Sequence, residues 1–169
     1  VGDALTNVTG ISASKTDSER VDFFSRGFYV SNYTWDDIPT TLSAAWNFGE
    51  TDGDSAIYER IDIVRGATGL MTGTGDPGAA INMIRKKADS KTFTGNLSAS
   101  YGTWNNQRYA IDLSAPLNES GTVRGRVVTG YQDQDSWMAR YHKRKKFLYA
   151  TVAADLTDNT TLDIGYDYQ

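Results

Sequence analysis

Alternation of apolar and polar residues through the second half of the chain is the feature that most limits what it can fold into. From Phe93 onward, apolar residues recur at every second position in segments separated by turn residues. Residues 107–116, 122–132 and 161–169 alternate cleanly, and 147–156 alternates less regularly. Since successive side chains of a strand point to opposite faces, the pattern predicts antiparallel strands with one apolar and one polar face. Each segment is close to the ~9–11 residues of a tilted membrane strand.

Two architectures accommodate such strands. A membrane barrel turns the apolar faces to lipid, whereas a soluble β-sandwich covers them with a second sheet. Short turns are expected at 117–121 and 157–160, and a longer loop at 133–145, which is typical of barrels with the long loops outside. That loop carries Trp137 and a basic cluster of Arg140, Lys143, Arg144 and Lys145. The short loop at 102–106 breaks this rule, so the pattern alone leaves both architectures open.

Composition excludes several classes of function. The 169 residues include no cysteine, which removes disulfide frameworks and cysteine-based metal sites. The single histidine, His142, cannot form a histidine cluster, and the net charge of -4 argues against nucleic acid as a partner. No apolar run approaches the ~18 residues of a membrane helix. The mean hydropathy of -0.49 is that of a soluble protein, but membrane barrels are equally polar on average.

A glycine-rich stretch between Tyr58 and Ala88 is the second informative feature. Its residues 73–78 fit the G-x-G-x-x-G pattern of dinucleotide-binding proteins. That motif needs a long helix directly after the glycines and an acidic residue roughly 20 positions later. Here Pro77 lies inside the loop, a short segment follows it, and the later position is occupied by Phe93. A nucleotide site is therefore not expected.

Three motifs, in order, resemble the plug domain of TonB-dependent outer-membrane receptors. Residues 58–86 resemble a strand of the form ERIEVxRG, a glycine-rich apex loop and an INxxxK strand. Residues 3–11 resemble the DALxxxxGI segment of the plug, while Ser25-Arg26-Gly27-Phe28 and Asp36-Asp37-Ile38-Pro39 resemble RGF…xDGIP. The amino-acid sequence of these motifs is most similar to that of receptors for ferric siderophores of the ferric-coprogen and pyoverdine kind.

The resemblance implies a β-rich fold in two parts. Residues 1–89 are expected to form an α+β plug with a small mixed sheet, lacking its N-terminal part. Residues 90–169 are expected to supply about the first five antiparallel strands of a transmembrane barrel of about 22 strands. A polar hinge near residues 88–91 separates the two parts. The chain is therefore expected to be a fragment, because an open barrel leaves unpaired backbone groups in lipid.

The implied function is active import by an outer-membrane receptor, with no catalytic role. A ferric siderophore, expected to be of the hydroxamate type, docks from outside, and the TonB–ExbB–ExbD complex acts through an N-terminal segment that would precede Val1. No cofactor or metal ligand is expected, because the iron arrives already coordinated. Other implied partners are outer-membrane lipid, lipopolysaccharide phosphates near the basic cluster, and a bacteriocin or phage.

The resemblance also directs attention to particular side chains. Siderophore contacts are expected from aromatic and polar residues of the plug loops, since ligand sites are apolar with a few directed polar groups. The candidates are Trp46, Tyr33, Trp35, Met71 and Thr72, with packing in the plug core as the alternative for each. Arg26 and Arg65 are expected to form a plug–barrel lock by pairing with barrel glutamates beyond Gln169, and Arg60 competes for that role.

Two alternatives remain open at this point. One is a soluble β-rich binding or adhesion module, and the other is a TonB-dependent receptor for a nutrient that is not a siderophore. Asp36 and Asp37 suggest a carboxylate pair, but as adjacent strand residues they are expected to point to opposite faces. No catalytic constellation is expected.

Overall fold

The computed structural model describes residues 2–15, 21–40, 53–66 and 77–169. The chain divides into two compact units, residues 1–86 and 87–169. The first unit contains two small sheets, and the second contains a single five-stranded sheet.

The first unit begins with a short helix and a small antiparallel sheet. Helix α1 spans Gly2–Thr6, and the sheet consists of β1 (Ser12–Lys15), β2 (Val21–Ser25) and β3 (Phe28–Tyr29) in that order. Among the described residues, no helix has both the length and the apolar character needed to cross a membrane.

A four-stranded mixed sheet completes the first unit. Its strands are β4 (Asn32–Trp35), β5 (Ile38–Thr40), β6 (Tyr58–Arg65) and β7 (Ala79–Arg85), in the order β5-β4-β7-β6. β4 runs parallel to β7, and the other neighbours are antiparallel. The predicted small mixed sheet is confirmed, with β6 and β7 on either side of the glycine-rich segment.

The core of this unit follows from the same period-two pattern. In β7, Ala79, Ile81 and Met83 are buried on one face, while the residues between them are half-buried. Phe23 and Val30, from β2 and the end of β3, are fully buried as well. Such aliphatic and aromatic side chains supply the apolar area that keeps so small a unit folded.

The Asp36–Asp37 pair occupies a tight turn between β4 and β5, so its placement in a strand was wrong. Both residues have left-handed backbone angles, with φ of 50° and 68°. A two-residue hairpin turn requires such angles, which aspartate tolerates better than most residues. The Asp36 carboxylate accepts bonds from the Arg85 backbone N–H (2.8 Å) and Nε (2.7 Å). Asp37 accepts one from Asn82 Nδ2 (2.6 Å), so both acids tie the turn to β7.

The second unit is a meander of five antiparallel strands. They are β8 (Thr94–Gly102), β9 (Asn106–Pro116), β10 (Val123–Asp135), β11 (His142–Thr157) and β12 (Thr160–Tyr168), each paired with the next in sequence. The predicted strands are confirmed, and β10 and β11, with 13 and 16 residues, are longer than expected.

The long loop predicted at 133–145 is shorter than expected. β10 and β11 pair as far as Asp135 and His142, which leaves residues 136–141 as the connection. Across the hairpin, His142 Nε2 lies 3.1 Å from Asp133, and Arg144 Nε lies 3.2 Å from the same carboxylate. The ion pair of Arg144 with Asp133 and the polar contact of His142 stabilise pairing, so the polar ends continue the ladder where a loop was expected.

The register separates two chemically different faces. The apolar face carries Leu97, Tyr101, Tyr109, Ile111, Leu113, Val127, Tyr131, Leu148, Val152, Leu162, Ile164, Tyr166 and Tyr168. The polar face carries Arg108, Asp112, Arg124, Arg126, Gln132, Lys143, Lys145 and Asp155. Several apolar side chains are largely exposed, for example Leu97 at 75% and Ile164 at 64%. This exposure argues against the β-sandwich alternative, in which a second sheet would cover this face.

Two arginines of β10 organise the polar face. Arg124 forms a bidentate ion pair with Asp155 (2.6 and 2.8 Å), and Arg126 forms another with Asp112 (2.9 Å for both contacts). The same guanidinium groups donate to the backbone carbonyls of residues 87–88, at 3.2 Å from Arg126 and 3.1 Å from Arg124. The start of the second unit is thus held against its own sheet by charged donors.

Replacing Arg124 by alanine is expected to loosen this attachment. The change removes both bonds to Asp155 and the bond to the residue 88 carbonyl, so amide exchange should rise at residues 87–92 and the melting temperature should fall. Arg144→Ala, which breaks a more exposed pair, is the matched control and should change both readouts much less. Equal effects of the two variants would contradict the attachment.

Replacing Asp36 by alanine tests the turn in the first unit. It leaves the Arg85 N–H and guanidinium without their acceptor, and we expect a loss of about 1–3 kcal/mol in the local stability of β7. Native-state hydrogen exchange of the β7 amides measures this loss. Asp62→Ala removes the exposed pair with Arg60 and should leave those amides nearly unchanged.

Candidate functional site

The two ends of the glycine-rich segment meet in the first unit. The Gly66 N–H donates to the Gly78 carbonyl at 2.9 Å, and Gly66 has a φ of 110° that side chains rarely adopt. A Cβ on Gly78 would lie 3.2 Å from both the Ser25 carbonyl and Phe28 Cβ. These two glycines therefore serve a tight closure and a close approach to the β2–β3 hairpin.

Arg65 lies directly at this closure. Its Nη1 donates to the Thr9 carbonyl at 2.7 Å, and the guanidinium covers Gly10, where a Cβ would come within 2.7 Å of the same nitrogen. Gly10 also has a left-handed φ of 81°. Glycine is therefore required there both by the backbone angle and by the lack of space for a Cβ beside Arg65. The contact ties the DALxxxxGI segment to the end of β6.

Arg26 approaches the same closure from the β2–β3 turn. It has a left-handed φ of 55°, followed by Gly27 at 84°, as a two-residue hairpin turn requires. Its Nη1 would lie 3.5 Å from a Cβ on Gly66. The structure thus brings Arg26 and Arg65, which are 39 positions apart in sequence, to the same end of the glycine-rich segment.

Both guanidinium groups are exposed, and within the described ranges neither forms an ion pair with a carboxylate. Arg60, their competitor, pairs with Asp62 at 3.0 Å, and the hydrogen bond that Arg60 Nε donates to the Asp62 carboxylate raises the pKa of Arg60. Since Arg60 has a partner in its own strand, Arg26 and Arg65 remain the better candidates for the lock. Their pairing with barrel glutamates stays a prediction.

Tyr33 and Trp35 project from the same face of β4, two residues apart. Tyr33 is only 3% exposed, and burial raises the pKa of its phenol, with smaller contributions from Tyr29 and Asp22. Tyr33 Oη and Trp35 Nε1 are buried without an acceptor among the described residues. Tyr33 is thus part of the packed sheet in this conformation, and siderophore contact at either residue stays a prediction.

The remaining candidates, Trp46, Met71 and Thr72, lie outside the described residues. Within the described part of the chain, no group of three or more histidine or carboxylate side chains is arranged to hold a metal ion.

Trp104 was not anticipated from the sequence as a notable residue. It occupies the turn between β8 and β9 with a left-handed φ of 57° and is 56% exposed, although bulky residues seldom adopt that angle. Its carbonyl accepts a bond from the Asp135 N–H at 2.9 Å, which ties the tips of two neighbouring hairpins together. The sequence did contain a signal for this turn, since the pair Trp104-Asn105 lies between two segments of alternating apolar and polar residues.

Comparisons with known proteins agree with this geometry. The ferripyoverdine receptor of Pseudomonas aeruginosa is 41% identical over 170 residues, covering 100% of this chain and 21% of the receptor. The pyoverdine outer membrane receptor FpvA from P. aeruginosa PAO1 bound to pyoverdine superposes with a TM-score of 0.90 at 41% identity, covering 98% of this chain and 24% of that one. The FpvAI–pyocin S2 complex gives a TM-score of 0.92 at 40% identity, with coverages of 99% and 23%.

The chain spans about a fifth of the length of the curated relatives it matches. The model of the family TonB-dependent Receptor Plug Domain matches residues 1–80, which include the Gly66–Gly78 closure, Arg26 and Arg65. The following strands superpose on the solved receptors as well, since the matches cover nearly the whole chain. The chain therefore belongs to the TonB-dependent receptors and carries their plug domain in residues 1–80, and the relatives that it matches are outer-membrane receptors, not enzymes.

Proposed function

We propose that the whole protein imports a ferric siderophore across the outer membrane. The observation that carries this proposal is the likeness to ferripyoverdine receptors over the full length of the chain, at 41% identity. The exposed apolar face of β8–β12 supports it, because the membrane-facing side of a barrel carries uncovered aliphatic and aromatic side chains of this kind.

The two faces of the second unit then have separate roles. The apolar face contacts lipid, and the polar face, with its arginine–aspartate pairs, lines the lumen. The hairpin tips at residues 103–105 and 136–141 lie outside the cell, and the turns at 117–122 and 158–159 lie in the periplasm. Tyr101, Tyr109 and Tyr131 form an aromatic band near the tips, as at a membrane interface, and the longer connection at residues 136–141 supports placing this end outside.

The substrate that we propose is a ferric siderophore with hydroxamate groups. The hydroxamate type is proposed from the motifs, which resemble those of ferric-coprogen and pyoverdine receptors. The similar receptor FpvA, which is bound to pyoverdine, supports a siderophore as the ligand. The proposed contacts are Trp46, Met71, Thr72, Trp35 and Tyr33. The TonB–ExbB–ExbD complex would supply the energy, so the chain needs no cofactor of its own. A bacteriocin is a further proposed partner, since a similar receptor is found in complex with pyocin S2.

Iron uptake tests the proposal. The full-length gene, expressed in a strain without siderophore receptors, should restore uptake of ⁵⁵Fe from ferripyoverdine or a ferric tris-hydroxamate, and uptake should stop when the proton gradient is dissipated. A ferric tris-catecholate serves as the comparison substrate and should be taken up poorly. If the strain takes up neither ferripyoverdine nor the ferric tris-hydroxamate but grows on an unrelated nutrient, the alternative of a TonB-dependent receptor for a different substrate is favoured.

Loss of the plug–barrel lock should open the channel. In the full-length receptor, Arg26→Ala and Arg65→Ala should each raise outer-membrane permeability to a bulky antibiotic, because the plug loses an ionic contact with the barrel wall. The control is Arg60→Ala, whose side chain pairs with Asp62 inside β6. Sensitivity to the antibiotic measures permeability, and equal sensitivity of all three variants would contradict the lock.

A further inference from the structure

His142 lies between two aspartates at the end of the β10–β11 hairpin. Its Nε2 is 3.1 Å from Asp133, and its Nδ1 is 2.9 Å from Asp135. The two aspartates are two positions apart on β10, so their side chains share a face and stand about 7 Å apart. The nitrogens of an imidazole ring point in different directions and can span that gap. His142 therefore bridges the two carboxylates.

Other contacts hold both aspartates in place. The Asp133 carboxylate accepts hydrogen bonds from the Tyr131 hydroxyl at 2.7 Å and from Arg144 Nε at 3.2 Å. The Asp135 N–H donates to a carbonyl of the β8–β9 turn at 2.9 Å, so its backbone is fixed to the neighbouring hairpin. The imidazole thus lies between a fixed carboxylate at one end and a residue with a fixed backbone at the other.

The number of protons on the imidazole decides whether both of its contacts are hydrogen bonds. A neutral ring has one N–H donor and one nitrogen lone pair, whereas an ionised carboxylate only accepts. With a neutral ring, one of the two aspartates therefore faces a lone pair. With an imidazolium ring, both nitrogens donate and the positive charge lies between two negative ones. Aspartate stays ionised over the range of about pH 5 to 8 in which histidine titrates, so the bridge gains its second hydrogen bond as the pH falls.

The surroundings of the ring contain no other group of this kind among the described residues. The ionisable side chains on the same face near the tip are Tyr101, Tyr109, Tyr131, Asp133, Asp135, Arg144 and Lys146, and Arg140 belongs to the connection. Arginine, lysine and tyrosine keep their charge state between about pH 5 and 8. His142 is therefore the group on this part of the face whose charge responds to pH in that range.

We propose that His142 is a proton-operated latch for the tip of the β10–β11 hairpin. The doubly protonated ring holds both carboxylates and orders the connection at residues 136–141. The neutral ring releases one carboxylate, and the connection becomes mobile. Trp137 lies in this connection and is 77% exposed, so pH decides whether an ordered or a mobile loop presents it to the medium. That the latch faces the external medium rests on the proposed function, whereas the bridge itself does not.

Hydrogen exchange of the full-length receptor in detergent, followed by mass spectrometry, tests the latch. Protection factors at residues 136–141, corrected for the pH dependence of intrinsic exchange, are compared at about pH 5 and about pH 8. We expect protection about fivefold higher at the acidic pH, the size of a partly exposed ion pair. The turn at residues 157–160 is the internal reference and should not change. Equal protection of the tip at both pH values overturns the latch.

Asp135→Asn separates the latch from a general stabilising contact. The new amide can donate to Nδ1 while Nε2–H donates to Asp133, so a neutral ring satisfies both contacts without a second proton. We expect residues 136–141 to be as protected at about pH 8 as those of the unmodified receptor are at about pH 5. His142→Gln cannot titrate in this range, and its protection should be independent of pH. The shift in electrophoretic mobility on heating shows that each variant retains a folded barrel.

Lys143→Ala is the matched control, since this neighbouring residue lies on the opposite face, and it should keep the full pH dependence. A pH dependence that survives in both Asp135→Asn and His142→Gln belongs to another group and overturns the latch. The proposed function is read separately, by iron uptake. A receptor that shows the pH dependence but takes up no ferric siderophore keeps the latch and contradicts the proposed function, and the converse result contradicts the latch alone.

Discussion

The register of the antiparallel pairing in β8–β12 is the constraint on which the second unit depends. Because side chains alternate, a slip of one residue between two strands would move every apolar side chain to the polar face. The observed register places Tyr109, Tyr131 and Lys146 in one row and Ile111, Thr129 and Leu148 in the next. The separation of faces, the ion pairs of the polar face and the position of His142 opposite Asp135 all follow from these pairings.

Charged contacts reinforce the register from the polar face. Arg124 and Arg126 lie on one strand and reach Asp155 and Asp112 on its two neighbours. A guanidinium that donates two parallel bonds to a carboxylate fixes direction as well as distance, which a single lysine contact does not. Since the same arginines also hold residues 87–88, the strand at the centre of the sheet fixes where the chain enters it.

The first unit is governed by tight turns. Arg26-Gly27 and Asp36-Asp37 both use left-handed angles, and Gly66 and Gly78 close the glycine-rich segment. Left-handed angles were foreseeable at the glycines, since glycine adopts them without cost. They were not foreseeable at Asp36 and Asp37, because the bonds that stabilise that turn come from Asn82 and Arg85, more than forty positions away.

The sequence alone determined the family, the strands and the two-faced character of the second unit, because motifs and period-two alternation are local properties of the chain. It also identified Arg26 and Arg65, although only the fold showed that they meet at the closure of one segment. Tertiary structure decided the extent of the β10–β11 hairpin, the burial of Tyr33, and the bridge that His142 forms between Asp133 and Asp135. Each of these depends on which residues lie opposite one another across strands, and the register that sets this is a property of the whole sheet.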